Sequence, residues 1–278
     1  MTPRPISQLI EPQYALEGAG VLLRRSIAPR ASNEYDPFLL FDHFAFNDPV
    51  EGPMRGFPIH PHRGIETVTY MLEGSVNHRD SLGNSGLIGA GDVQWMTSGR
   101  GILHEEMPRR GESGNIYGFQ LWVNLPAAQK MSQPRYQEVT AASIPSVTKD
   151  GATVRVVAGE FNGTIGPVTE IAASPLYLDV RLDPASRFVC PVPSGHTALA
   201  YVFEGKGRFA GEEVESVRMA VFGDGDQIEV ESETGVRFML IAGAPFREPI
   251  VPYGPFVMNT VEEIQQTLAE LRNGTFIS

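Results

Sequence analysis

Cysteine is almost missing from this sequence: Cys190 is the only one. A disulfide framework and a thiolate zinc site are thereby excluded. No apolar run approaches the roughly 18 residues that a membrane-spanning helix requires. The opening Met1-Thr2-Pro3-Arg4-Pro5 lacks an apolar stretch of signal-peptide length, so a reducing, cytoplasmic setting away from the membrane is expected. Basic charge is also scarce, with 22 Lys and Arg against 33 Asp and Glu and a formal charge of −11. The cations are scattered, apart from short pairs at Arg24-Arg25 and Arg109-Arg110, and make no basic stripe. Direct nucleic-acid binding is therefore not expected, and the negative charge reads as solvated surface. Helical periodicity is absent until the last twenty residues or so.

What is present is turn-rich and β-like. The chain has 278 residues, 42% of them hydrophobic, with 29 glycines and 22 prolines. That length suits two domains of roughly 130–140 residues each. Runs of β-branched, aromatic and leucine residues predict strands at residues 21–25, 66–72, 92–97 and 119–124. The second half repeats the style at 153–157, 176–182, 198–203, 218–222 and 236–241. Asp150-Gly151 and Asn162-Gly163 sit where tight turns are needed. Residues 260–272 change period: Val261, Ile264, Leu268 and Leu271 fall on one helical face. Thr260 with Glu263 forms a capping box, and Gly274 is a stop.

The halves also resemble each other. ETVTYMLEG at 66–74 and TALAYVFEG at 197–205 are each followed by a Gly-Asp, at Gly91-Asp92 and Gly225-Asp226. An internal duplication of a double-stranded β-barrel is the economical reading. Its expected halves are 1–138 and 139–278, with 126–145 as the connection and the terminal helix in the second half.

The chemistry concentrates in the first half. His60-Pro61-His62 and His104-Glu105-Glu106 each place two candidate ligands at i and i+2, which on a strand point to one side. If the two segments lie on neighbouring strands, His60, His62, His104 and Glu106 converge on one point. One such pair alone is more often structural; two pairs with matching spacing point to a metal. Pro61 stiffens the strand between its two histidines. Gly56, Gly64, Gly99 and Gly101 flank the ligand segments, where turns must pass close by. Three imidazoles and a carboxylate suit one divalent transition ion, whether Fe, Mn, Co, Ni, Cu or Zn, and leave two octahedral positions open. Loading requires neutral imidazoles and is expected to fail below a pH of about 6. Phe57, Trp95, Met96 and Trp122 are candidate walls of a substrate pocket or plain core residues. Glu66 and Gln120 are candidates to accept imidazole N–H protons. Glu105 alternates to the other face, toward solvent or a salt bridge. His43, His78 and His196 read as ordinary polar residues, and Cys190 as a buried inert thiol.

Longer motifs then identify a family. GFPIHPHR at 56–63, GDVQWMTSGRGILHEEMP at 91–108 and LWVNLP at 121–126 resemble the pirins. FDHF at 41–44, PRYQ at 134–137 and the region 243–260 extend the likeness over almost the whole chain. The resemblance implies an all-β bicupin: two tandem cupin barrels with a C-terminal α-helix, iron in the first barrel and no metal in the second. The family's ligands match His60, His62, His104 and Glu106. Some pirins are quercetinases, which open flavonols with dioxygen; there Glu106 would serve as the catalytic base. Others are iron- or redox-responsive partners of transcriptional or metabolic proteins. The expected function is an Fe(2+)-dependent dioxygenase of the quercetin 2,3-dioxygenase type, taking a small phenolic or enolic substrate and dioxygen. The alternative is a non-enzymatic iron protein that binds a regulatory partner.

Overall fold

The fold is taken from a computed structural model that describes residues 2–46 and 56–277. Among the described residues it is built of antiparallel strands, one α-helix and two single 3-10 turns, and its contacts divide it into two units. The units are not consecutive along the chain. One comprises Gln13–Ala141 with Phe246–Ser278; the other comprises Met1–Pro12 with Ala142–Pro245. The chain ends are thus exchanged relative to a simple cut at 138/139. The first strand, Ile6–Ile10, pairs with Arg218–Phe222 in the second unit. The terminal helix, expected with the second half, belongs to the first unit.

In the first unit a seven-stranded sheet runs in the order Arg135–Val139, Val93–Thr97, Ile65–Glu73, Ile116–Asn124, Phe38–Phe46, Val21–Ile27 and Gln13–Glu17. A four-stranded sheet runs Phe57–His62, Ile102–Arg109, Ser75–Asp80 and Ser85–Ile88. The stretch 126–145 is more than a connection, because its strand Arg135–Val139 extends the large sheet. The helix Val261–Asn273 carries both halves of the capping box at Thr260 and Glu263, and Gly274 closes it at φ 70°. Ile264, Leu268 and Leu271 lie against Phe256, Met258 and Phe276. Val261 does not join them and remains 52% exposed, one turn too early on the helix.

The repeated nonapeptides occupy equivalent places. Ile65–Glu73 lies between Val93–Thr97 and Ile116–Asn124; Thr197–Phe209 lies between Arg218–Phe222 and Val236–Gly243. Each Glu-Gly has its glycine at positive φ, Gly74 at 76° just past its strand and Gly205 at 68° within the longer Thr197–Phe209. Side chains there would strike the carbonyls of Arg109 and Gly235. The predicted hairpin turns form at Asp150-Gly151 and Asn162-Gly163, all four residues at positive φ as a type I′ turn demands. The barrels differ inside. In the second unit Phe188, Phe209, Phe238 and Leu240 join one continuous hydrocarbon core, with edge-to-face contacts from Phe238 to both other rings. Cys190 lies in that core, where burial pushes its thiol up to about 12. Among the described residues no helix is long and apolar enough to cross a membrane.

His43 is buried in the first unit, 5.0 Å from the ring centroids of both Tyr117 and Phe119. Burial, aided by the charge of Arg24, lowers it from 6.5 to about 3. Between those values the unfolded chain takes up a proton that the folded ring refuses, so this group costs stability as pH falls below 6.5. The slope is at most about 1.4 kcal/mol per pH unit. Urea unfolding of His43→Phe should gain on the wild type as pH is lowered from about 6.5 to about 4.5. A stability difference that does not move with pH would contradict this assignment.

Candidate metal centre

Backbone register builds the site. Strand Phe57–His62 pairs with Ile102–Arg109 so that His60 opposes His104 and His62 opposes Ile102. Opposed residues share a face, and so do residues two apart, which puts all three imidazoles on one side. Their ring centroids lie 4.9, 4.4 and 5.0 Å apart. One ring nitrogen from each lies within 4.8 Å of the others.

Protonation follows from the contacts. Nδ1 of His60 is 2.9 Å from the Pro58 carbonyl, a contact only an N–H can make. In the neutral ring its Nε2 then carries the lone pair, and it faces Nε2 of His62 at 3.1 Å. Two metal–nitrogen bonds of about 2.1 Å at a right angle would set donors about 3 Å apart, so this spacing fits one ion. Both nitrogens of His104 are buried without a hydrogen-bond partner among the described residues. Such orphans cost about 1–3 kcal/mol each, and a cation at the convergence point removes the cost for those that face it. Burial, followed by mutual repulsion among the rings, lowers His62 well below 6.5 and His104 to about 3. Both are thus neutral and ready to ligate. Acid competition at these two rings sets in lower than an unperturbed imidazole would suggest.

Glu106 holds a different position from the three rings. It shares the inward face of its strand with His104, but a register shift separates the two opposite Phe57–His62. Its Oε1 lies 3.1 Å from the Thr69 hydroxyl, which is also 2.8 Å from Oε1 of Gln120. Burial pushes its carboxyl above the usual range, against the pull of His60 and of Thr69. The closely spaced cluster is therefore the three imidazoles, with Glu106 beside it. Glu105 points the other way and pairs with Arg79 at 2.5 Å.

His60, His62 and Glu106 open onto a cavity of about 390 Å³, lined also by Phe44, Phe57 and Trp122. That volume lies within the range of small-molecule sites, about 300–1,000 Å³. Trp122 stands edge-on to His62, centroids 5.2 Å apart. Two expected walls are elsewhere. Trp95 opposes Val68 while Gln94 opposes Thr69, so Trp95 lies on the far face of the sheet from Thr69. Met96 has the right face, but it is wholly buried and outside the cavity lining. Glu66 shares the far face with Trp95 and accepts from the Thr97 hydroxyl at 2.7 Å, so it cannot serve an imidazole. Gln120 reaches Glu106 through Thr69 instead of reaching a ring.

Several supporting residues carry no sequence signal of their own. Lys130 is buried, and its ammonium donates to the carbonyls of Gly64 and Val257 and to Oδ1 of Asn124 at 2.7–2.8 Å. Burial brings it down to about 7. Gly64 lies two residues beyond His62, at φ 78°, and a side chain there would strike the Val257 carbonyl. Its glycine thus serves packing against the chain, not against a metal. Arg63, next to His62, is pinned by Glu270 at 2.6 Å, by Thr267 and by the Phe276 ring. The helix therefore braces the end of the ligand strand. The three other histidines lie outside the cluster: His78 pairs with Glu138 at 2.8 Å, and His196 accepts from Arg4 through its carbonyl.

The pirin family model matches residues 20–123, and the model of the pirin C-terminal cupin domain matches 177–277. A pirin-like protein of Caulobacter vibrioides is 44% identical over 278 residues, covering 99% of this chain and all of that one. Human pirin is 46% identical over 264 residues, covering 92% and 88%. The crystal structure of a quercetin 2,3-dioxygenase from Acinetobacter baumannii superposes with a TM-score of 0.90 at 34% identity, covering 99% of each chain. With two cupin domains in tandem and a histidine cluster in the first, the chain belongs to the pirin family.

Proposed function

We propose that the protein is an Fe(2+)-dependent dioxygenase of the quercetin 2,3-dioxygenase type, acting in the cytoplasm on flavonol-like or related phenolic and enolic compounds. The observation that carries this reading is the cavity of about 390 Å³ into which His60, His62 and Glu106 open. A partner-binding iron protein needs only small-ligand access to its metal; this one has room for a multi-ring aromatic compound beside its donors. The likeness to the Acinetobacter dioxygenase supports the same reading.

His60, His62, His104 and Glu106 would hold the ion. Bound there, a divalent iron would acidify a hydroxyl placed next to it and offer a redox centre for dioxygen. Other divalent ions, Zn, Mn, Ni, Co or Cu, fit the same nitrogen-rich set and can replace iron in purified protein. The chain supplies the rest. Trp122 and Phe57 line the cavity beside His62 and His60 and suit a planar ligand. Glu106 is the base for the substrate hydroxyl: its carboxylate, beside the imidazoles and held by the Thr69 hydroxyl, lies within reach of a proton on a ligand at the ion.

Metal analysis of protein from its native host should find one ion per chain, predominantly iron, and His62→Ala should lose it. Oxygen uptake should accompany the loss of flavonol absorbance in the wild type and vanish in His62→Ala. Glu106→Gln should slow turnover about 100-fold or more. Turnover without oxygen, or equal rates in wild type and His62→Ala, would overturn the dioxygenase reading. A fully loaded protein inert toward flavonols would favour the alternative, an iron-responsive pirin that binds a transcriptional or metabolic partner.

A further inference from the structure

The cavity has a second polar end. Besides the imidazoles and Glu106, its lining includes Arg25, Asp42 and Glu17. Register shows how the two ends are joined. Thr69 opposes Gln120, Gln120 opposes Asp42, and Asp42 opposes Arg25. Opposed residues share a face, so these four make one polar row across the inner side of the large sheet. Thr69 ends the row against Glu106. From Thr69 to Asp42 is two strand spacings, about 10 Å. The cavity wall beside the row is hydrocarbon and aromatic: Leu23, Leu40, Phe44 and Trp122.

The far end is an ion-pair cluster in which Asp42 is buried, Arg25 is partly exposed and Glu17 reaches solvent. Nε and an amino group of Arg25 grip the two oxygens of Asp42 at 2.8 and 2.7 Å, and the other amino group meets Glu17 at 2.6 Å. Asp42 is 4% exposed. Burial raises its carboxyl to about 6, and the Arg25 pairing offsets this only in part. Two hydrocarbon side chains would fill such a wall at lower cost than a buried ion pair. Two carboxylates against one guanidinium leave a net negative end with acceptor lone pairs to spare, since Asp42 gives Arg25 only part of its capacity.

We propose that the Asp42–Arg25 pair, with Glu17, is the specificity determinant of this cavity, accepting a hydroxyl proton from the end of the ligand remote from the imidazoles. The inference rests on the cavity being the substrate site. Extended aromatic compounds with a distal hydroxyl are then preferred to the same skeleton without one. Compounds with an anionic distal group are disfavoured.

The test is calorimetric titration of metal-loaded protein, without oxygen so that nothing turns over. The probes are 3-hydroxyflavone and quercetin, which share the 3-hydroxy-4-keto edge and differ in the hydroxyls on the outer rings. Wild type should bind quercetin about tenfold tighter, the size of one hydrogen bond to an ionised group. Asp42→Asn should shrink that ratio to about twofold or less. Arg25→Met combined with Asp42→Leu should do the same without leaving one charge buried alone, which covers the event that the single variant fails to fold. Equal binding of both compounds by wild type, or a ratio unchanged in a folded variant, would overturn the second polar end alone. Binding of neither compound would overturn the cavity reading and this inference with it.

Discussion

In an antiparallel pair, residues opposite each other hold their side chains on one face, and here His60 lies opposite His104. That register brings the three rings together. His62 joins His60 by strand alternation, and Pro58 fixes the tautomer of His60 through its carbonyl. Slipping the pairing by one residue would turn the ligands of one strand to the opposite side. The supports around the strand end therefore matter as much as the rings. Arg63 is locked by the terminal helix, and Lys130 ties Gly64 to the Val257 segment. The C-terminal segment, which belongs to the first unit, thus packs against the end of the strand that carries His60 and His62.

The two units show how one strand pattern can be filled in two ways. Equivalent central strands, each carrying a glycine at the equivalent place, enclose a phenylalanine-centred core in the second unit. In the first unit they enclose imidazoles, carboxylates and a cavity. The apolar filling contributes stability by burial. The polar filling does the opposite, leaving ring nitrogens without partners and an ion pair in a largely hydrocarbon wall. Buried groups held at such a cost are what a ligand site requires.

Much of this was legible in the sequence. Strand positions followed from β-branched runs between turn residues, and the helix from Thr260, Glu263 and Gly274, because these signals are local. The imidazole cluster was legible because i, i+2 spacing fixes a face without knowledge of the fold. What failed depended on long-range pairing. Trp95 and Met96 look alike as aromatic and apolar neighbours of the ligands. Only the pairing of Trp95 with Val68 shows that it faces away, and only burial removes Met96. Glu66 fails for the same reason as Trp95. Thr69, Asp42 and Arg25 gave no warning, since a polar row across four strands has no footprint in any one segment. The side-by-side placement of the cluster and Glu106 likewise depends on a local register shift that composition does not encode.

The proposed ion would sit at the point where His60, His62, His104 and Glu106 meet. Diffraction from crystals of the loaded protein, collected on both sides of the iron absorption edge, tests it most directly. A single anomalous peak should appear in the first unit, about 2.1 Å from one nitrogen of each ring and within bonding reach of Glu106, with open positions facing the cavity. A peak bound elsewhere on the chain, or one sealed from the cavity by protein, would contradict it.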